Sequence, residues 1–183
     1  MKNILTLLIL FSFIIMNAQN NFGTLYFKDG SQKMGFISVT KSNKILFKKE
    51  THNEPIEYGF EDVTGFNDND EYKYIIYEDK PIILKVVTEG KINLYIDSYF
   101  EYGPGNWSND FYVAGGGEVT DYYIQHKYGI TVTRNKLQKK NDHIFNDCPL
   151  ILEKLKKRKL KRRKLVEIIE FYNENCNWNK YYL

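Results

Sequence analysis

The chain contains little cysteine, proline or histidine, and these shortages exclude several classes of protein. Its 183 residues include two Cys, four Pro and three His. Two Cys without matching His ligands make a poor zinc site, because structural zinc takes four N or S ligands. With so few prolines, no segment has the composition of a low-complexity linker, and no internal repeat of fixed period is found. The hydrophobic fraction of 43% is that of a folding chain rather than a disordered one.

The chain also lacks an apolar run long enough to span a bilayer. The run from Ile4 to Met16 has thirteen residues by count, whereas a transmembrane helix needs roughly 20. It follows Lys2 and is closed by Asn17, Ala18 and Gln19, which is the order of regions in a secretory signal peptide. We predict that residues 1–19 are a signal peptide, cut after Ala18 or Gln19, with no transmembrane span left afterwards. The alternative is an uncleaved anchor. The cleaved chain would be periplasmic or associated with the outer membrane.

Residues 20–133 are predicted to form an antiparallel β domain. Fifteen Tyr and twelve Phe favour strands, and the turn signals divide this part into about eight to ten short strands. Asp29-Gly30 and Glu89-Gly90 each lie between β-prone runs and indicate hairpins. Because helical crossovers are absent, a parallel sheet is not expected. The predicted fold class is α+β, with an antiparallel β-meander curled into a barrel-like sheet and followed by a C-terminal helical hairpin cap.

Two glycine-containing stretches are predicted to be irregular. Residues 98–109 are interpreted as a loop around Gly103-Pro104-Gly105, and Gly115-Gly116-Gly117 is interpreted as a hairpin turn. Aromatic side chains on a loop can stack on a sugar ring or anchor a protein partner. The alternative is that the rings fold back onto the domain. The loop therefore supplies a candidate aromatic contact surface, made of Tyr99, Phe100, Tyr102 and Trp107.

Residues 134–183 are predicted to be helical. A first helix covers Lys136 to Phe145, a second begins near Pro149, and a third runs from about Arg162 to Asn175. Asp147, just ahead of the second helix, is placed to accept hydrogen bonds from its open N–H groups. The third helix carries one apolar face at steps of three or four residues, formed by Leu165, Ile168, Ile169, Tyr172 and Cys176.

Cys148 and Cys176 are predicted to form a disulfide. An exported chain meets an oxidising compartment, where a pair of Cys usually becomes cross-linked. If the second and third helices form an antiparallel hairpin, Cys148 at the start of one lies beside Cys176 at the end of the other. The bond would then join the open end of the hairpin. The alternative is two buried free thiols.

The charges are distributed unevenly between the two regions. From Arg134 onward the formal charge is +8, whereas the preceding residues carry −5. Nine of the eleven residues from Lys154 to Lys164 are basic, and such a run must be solvated or face an anion. In an exported protein the candidate anions are lipid head groups, acidic glycans or an acidic protein, before nucleic acid. The alternative is a merely solubilising surface. The candidate anion contacts are Lys154, Lys156, Lys157, Arg158, Lys159, Lys161, Arg162, Arg163 and Lys164.

Four stretches of the sequence resemble a known family of proteins. Gly-Thr-Leu-Tyr-Phe-Lys-Asp-Gly-Ser at 23–31, Glu-Gly-Lys-Ile-Asn-Leu-Tyr at 89–95, and Phe-Asn-Asp-Cys-Pro-Leu at 145–150 with Phe-Tyr-Asn-Glu-Asn-Cys at 171–176 resemble a family of uncharacterised exported proteins. That family is typical of Bacteroidota-type Gram-negative envelopes. The resemblance implies an exported β domain with a helical C-terminal cap. It implies no activity and carries over no catalytic residue.

No motif in the sequence indicates catalysis, a metal or a cofactor. His52, His126 and His143 lack metal-ligand spacing, and no Gly-x-Ser-x-Gly elbow occurs. We therefore expect a non-enzymatic envelope protein that acts as a binding or interaction module, with no cofactor and no catalytic residues. Its partner would be an anionic envelope component or an envelope protein. The alternative is a hydrolase acting on envelope polymer or peptide, with a site assembled across the sheet.

Overall fold

A computed structural model describes residues 21–108 and 111–176, with the side chains of all but 102, 104–108 and 111–114. The predicted signal peptide, residues 1–19, lies outside the described residues. Ten strands are followed by a 3₁₀ helix and two α-helices, which we call α1 and α2. The elements are β1 (Asn21–Phe27), β2 (Gln32–Val39), β3 (Ile45–Lys48), β4 (Ile56–Tyr58), β5 (Val63–Asn67), β6 (Glu71–Tyr77), β7 (Lys80–Thr88), β8 (Asn93–Ser108), β9 (Phe111–His126), β10 (Gly129–Arg134), the 3₁₀ helix (Lys139–Phe145), α1 (Pro149–Lys156) and α2 (Leu165–Asn175).

The strands form an open antiparallel sheet, which confirms the α+β class. Hydrogen-bonded neighbours follow the order β10-β9-β8-β7-β6-β5-β1-β2-β3-β4. The two end strands, β10 and β4, are not paired with each other in the part of the chain that is described. A barrel requires its first and last strands to pair. The predicted curling into a barrel-like sheet is therefore not supported.

The chain divides into two compact units between Ile83 and Leu84. In the first unit the buried side chains come from alternate positions of neighbouring strands, as in the buried–half-buried pattern of β3. Tyr74 lies at the margin of this core, where its hydroxyl donates to the Asn43 carbonyl at 2.7 Å. Burial raises the pKa of Tyr74 to about 12. The core consists of Leu25, Ile37, Ile45, Phe47, Val63, Phe66 and Tyr74.

In the second unit the helices and the strands share one core. The predicted apolar face of α2 is buried in one cluster with Leu94 of β8, Ile124 of β9 and Ile92, the residue before β8. Asn173 of α2 makes two hydrogen bonds to the backbone of Ile92, just before β8. Its Oδ1 accepts from the Ile92 N–H at 3.0 Å, and its Nδ2 donates to the Ile92 carbonyl at 2.9 Å. The helical members of the core are Ile144, Phe145, Ile151, Leu155, Leu165, Ile168, Ile169 and Tyr172.

Two local predictions about the strands are wrong. Strand β8 continues through residues 98–108, which were interpreted as a loop. The glycines at 115–117 lie inside β9, where Gly117 pairs with Glu101 and Gly116 with Tyr102, rather than in a turn. A Cβ at Gly116 would lie 2.8 Å from the Glu101 carbonyl oxygen. The paired strand therefore comes too close for a side chain at position 116, which explains why glycine is found there.

The helical predictions need smaller corrections. The first helix is a 3₁₀ helix that begins at Lys139, and α2 begins at Leu165 rather than Arg162. None of the described helices is long and apolar enough to cross a membrane. The predicted disulfide is confirmed, with the Cys148 and Cys176 sulfurs 2.02 Å apart. It joins the residue before α1 to the residue after α2.

Candidate anion-binding groove

The chain reverses after α1 at a Schellman-type end. The Lys159 N–H donates to the Lys154 carbonyl at 2.9 Å, and the Arg158 N–H donates to the Leu155 carbonyl at 3.2 Å. Between these bonds Arg158 takes a left-handed conformation, with φ of 57°. Glycine is preferred at this position because a Cβ is disfavoured there. An arginine is thus held where local conformation favours glycine.

A groove of about 1070 Å³ opens beside this reversal. Basic side chains form most of its wall, and three leucines form its apolar part. Leu155 is buried, whereas Leu152 and Leu160 are half-buried and remain accessible from the groove. The lining consists of Lys136, Lys139, Lys156, Arg158, Lys161, Arg162 and Arg163, the three leucines, and Asp142.

One basic residue of the groove is neutralised by the one acidic residue in its lining. Arg162 donates from Nη1 to Asp142 Oδ1 at 2.6 Å and from Nη2 to Oδ2 at 2.7 Å. These hydrogen bonds raise the pKa of Arg162, and both side chains are half-buried. The remaining basic side chains make no ion pair within the described residues. We call these six the groove cations: Lys136, Lys139, Lys156, Arg158, Lys161 and Arg163.

The structure separates the nine predicted anion contacts into two groups. Five of them line the groove, namely Lys156, Arg158, Lys161, Arg162 and Arg163. The other four do not line it: Lys154, Lys157, Lys159 and Lys164.

Three of these four are engaged elsewhere. Lys157 is paired with Glu153 and Lys164 with Glu167. The Lys154 ammonium lies 4.7 Å from the centroid of the Phe171 ring. These contacts direct part of the basic run away from the groove.

Sequence reasoning missed Lys136 and Lys139. They reach the groove because the segment before the 3₁₀ helix is fastened to the residues before α2. The Leu137 N–H donates to the Arg162 carbonyl at 2.8 Å, and Asp142 holds the Arg162 side chain. The sequence signal for Lys136 and Lys139 was their position in the basic C-terminal region. A local pattern does not show that they reach the groove, because the contacts that bring them there join residues about 20 positions apart.

The predicted aromatic contact surface is only partly described. Tyr99 and Phe100 are exposed, at 37% and 55%, whereas the side chains of Tyr102 and Trp107 lie outside the described residues. Tyr99 and Phe100 are consecutive in β8, so their side chains point to opposite faces of the sheet. They therefore do not form one stacking platform.

Tyr99 belongs to a polar network on its face of the sheet. Its hydroxyl donates to Asp121 Oδ2 at 3.0 Å and accepts from Arg134 Nη2 at 2.6 Å. Arg134 also contacts Asp121 Oδ1 at 3.0 Å and Glu101 Oε2 at 3.1 Å. Hydrogen bonding to Asp121 raises the pKa of Arg134. The network holds the Tyr99 ring in one position against the strands.

A smaller cavity of about 320 Å³ lies near the disulfide, lined in part by His126, Lys127, Asp147 and Tyr172. The Tyr172 hydroxyl donates to Asp147 Oδ2 at 2.8 Å, with Lys127 Nζ 3.7 Å from the same oxygen. Burial, and then the bond to Asp147, raise the pKa of Tyr172. Asp147 makes no side-chain cap bond to α1, contrary to expectation. Its buried Oδ1 has no hydrogen-bond partner in the described part of the chain.

His126 borders this cavity with both ring nitrogens engaged. Nδ1 accepts from the Tyr128 N–H at 3.3 Å, and Nε2 lies 3.2 Å from the Thr131 hydroxyl. Its ring centroid is 6.3 Å from that of His143. Burial, followed by the charge of His143, lowers the pKa of His126. Across residues 21–108 and 111–176, no group of three His, Cys, Asp or Glu side chains could hold a metal ion.

Comparison with known proteins adds no relative. No family model, no curated protein and no solved structure matches the chain.

Proposed function

We propose that the protein is an exported, non-enzymatic binding module that holds an anionic component of the cell envelope in the groove beside α1. One observation carries this proposal: six exposed basic side chains line one groove without an ion pair in the described part of the chain. Like charges held together repel each other and lower the stability of the compact state. A bound anion would remove that repulsion.

Two further features support a binding role. Arg158 keeps a left-handed conformation that costs about 1 kcal/mol or more for a residue other than glycine. Arg162 is locked to Asp142, which holds the two sides of the groove together before any ligand arrives. Preorganisation of this kind reduces the entropy lost on binding.

Export is supported by the cross-link and by the N-terminal sequence. Disulfides such as Cys148–Cys176 persist in oxidising compartments and are rare in the cytosol. Residues 1–19 have the regions of a signal peptide. We place the mature protein in the periplasm or at the outer membrane, with α1 and α2 as a helical hairpin cap closed by the disulfide.

No described feature favours the hydrolase alternative. The cavity near the disulfide brings His126 toward a single carboxylate, that of Asp147. His126 Nδ1 accepts the Tyr128 N–H, so the neutral ring carries its proton on Nε2. Nε2 therefore donates to the Thr131 hydroxyl and cannot take a proton from it as a general base.

Binding of dextran sulfate, a soluble polyanion, tests the proposed function. We compare the full-length oxidised protein with a groove variant that combines Lys156→Gln, Arg158→Gln, Lys161→Gln and Arg163→Gln. The control variant removes the same charge from the first unit, through Lys41→Gln, Lys48→Gln, Lys49→Gln and Lys80→Gln.

We expect the groove variant to bind at least about tenfold more weakly in titration calorimetry at about 0.05 M salt, where screening is weak. The control should change affinity by less than about twofold, and the difference should shrink at about 0.2 M salt. Equal losses in both variants, or no loss in either, would overturn the proposal.

A further inference from the structure

We propose that the anion held by the groove is the phosphate headgroup of a bilayer lipid, whose first acyl methylenes contact Leu152 and Leu160. This inference rests on the proposed function and names its ligand. It follows from the placement of cationic and apolar side chains in one groove.

The apolar part of the groove distinguishes a lipid from a purely polar anion. Leu152 and Leu160 are half-buried, pack at the edge of the core of the second unit, and line the same groove as the cations. A free phosphate or a sulfated glycan would engage the cations and leave the exposed part of these side chains in water. A lipid carries negative charge and hydrocarbon in one molecule, as the groove requires.

The cations that line the groove come from separate segments of the second unit. Lys156 ends α1, Arg158 and Arg163 lie in the connection to α2, and Lys136 and Lys139 approach from the 3₁₀ helix and the residues before it. Arginine presents a planar fork that binds phosphate oxygens in pairs, and lysine adds point charges. At about 1070 Å³, the groove is at the upper end of the range of small-molecule sites, which is enough for a headgroup and the start of a chain.

The surroundings of the groove favour a lipid in a bilayer over an isolated molecule. Lys159 is exposed beside the groove, and it adds positive charge outside the lining. Each basic residue near an anionic membrane surface adds about fivefold to the affinity. Three leucines cannot cover a whole acyl chain, so most of the chain would stay in the membrane.

Binding to vesicles tests the inference with the exported, oxidised protein, from which the apolar run of residues 4–16 has been removed with the signal peptide. The vesicles are phosphatidylcholine with about one quarter phosphatidylglycerol, and pure phosphatidylcholine serves as the neutral control. The critical variant is Leu160→Ser. Its matched control is Leu150→Ser, which alters a leucine of α1 that is 41% exposed and does not line the groove. Dextran sulfate binding is measured on every variant.

We expect binding to the anionic vesicles only. Leu160→Ser should weaken it by about three- to tenfold, since the lipid loses a partly buried apolar contact. Circular dichroism of the same variant should match that of the parent, which shows that it is folded, and its dextran sulfate affinity should fall by less than its vesicle affinity. Leu150→Ser should change neither affinity.

The remaining outcomes separate this inference from the proposed function. If Leu160→Ser leaves vesicle binding unchanged, or if glycerol phosphate displaces the vesicles completely, the lipid assignment is wrong and the groove is a site for a polar anion. If the groove variant binds both vesicles and dextran sulfate like the parent, the lipid assignment and the proposed function both fail.

Discussion

Arg162 and Asp142 form a two-pronged ion pair, with N–O distances of 2.6 and 2.7 Å, that joins the residues before α2 to the 3₁₀ helix. The Leu137 N–H donates to the carbonyl of the same arginine at 2.8 Å. Arg162 therefore holds residues 137–142 through both its backbone carbonyl and its side chain. The side-chain pair also removes one cation from the charge that the groove presents to a ligand.

Arg162→Gln should lower the free energy of unfolding of the second unit by about 1–2 kcal/mol, because two hydrogen bonds between charged groups are lost from a half-buried position. Asp142→Asn should cost a similar amount, and the double variant should cost little more than either single variant. Urea unfolding of the three proteins gives the coupling energy. Additive losses would show that the two side chains act independently.

Removing the disulfide with Cys148→Ser and Cys176→Ser should lower the free energy of unfolding by about 3 to 4 kcal/mol. The bond closes a loop between residues 28 positions apart, and this lowers the conformational entropy of the unfolded chain. Urea unfolding with and without a reductant measures the loss. Reductant should destabilise the parent by the same amount and leave the double variant unchanged. A loss below about 1 kcal/mol would show that the reduced chain keeps the two ends together.

Asp97→Asn should stabilise the protein at neutral pH by about 0.2 to 1 kcal/mol, the range for like charges that face each other across strands. Asp97 pairs with Asp121 in the sheet, and burial, followed by the charge of Asp121, raises the pKa of Asp97 above 3.8. As pH rises, the unfolded chain therefore releases the Asp97 proton before the folded chain does. The loss of stability from the charged Asp97 is fully present at pH 7.

Thermal or urea unfolding near pH 7 and near pH 3.8 measures the gain from Asp97→Asn, which should shrink at the lower pH as Asp97 becomes protonated. Asp121→Asn is the control, since it also removes an acceptor of Arg134 and Tyr99. It should give no gain. Stabilisation by both substitutions would mean that the polar network contributes nothing.

Stability should fall as pH drops below about 6.5, because folding lowers the pKa of His126 beneath its usual 6.5. In that window the unfolded chain binds the proton before the folded chain does, so protonation favours unfolding. Urea unfolding at about pH 7.5 and about pH 5.5 measures the slope, which His126→Gln should reduce. His52→Gln, which removes an exposed histidine from the first unit, is the matched control. An unaltered slope in His126→Gln would assign the pH dependence to other groups.

Local patterns predicted many elements of this fold. Glu89-Gly90 predicted a hairpin, and β7 and β8 pair antiparallel on either side of it. The spacing from Leu165 to Cys176 predicted the face of α2 that enters the core. These predictions succeeded because a turn signal and a helical period are both properties of neighbouring positions in the chain.

Local patterns failed where distant pairing overrode them. Residues 98–108 contain Gly103-Pro104-Gly105, yet they continue β8 because β9 pairs alongside, with a register shift between Gly103 and Asn106. The glycines at 115–117 carry the signal of a turn, but they lie within β9. Turn chemistry is a weak constraint when a long partner strand satisfies the backbone.

The amino-acid sequence by itself determined the charge asymmetry, the basic run and the two cysteines that pair. Only the tertiary structure decided which basic residues remain unpaired. It brings Lys136 and Lys139 to the groove, places Asp142 against Arg162, and directs Lys157 and Lys164 to acidic partners. The reason is physical: charge is a property of each residue, whereas its compensation depends on distances through space between segments far apart in the chain.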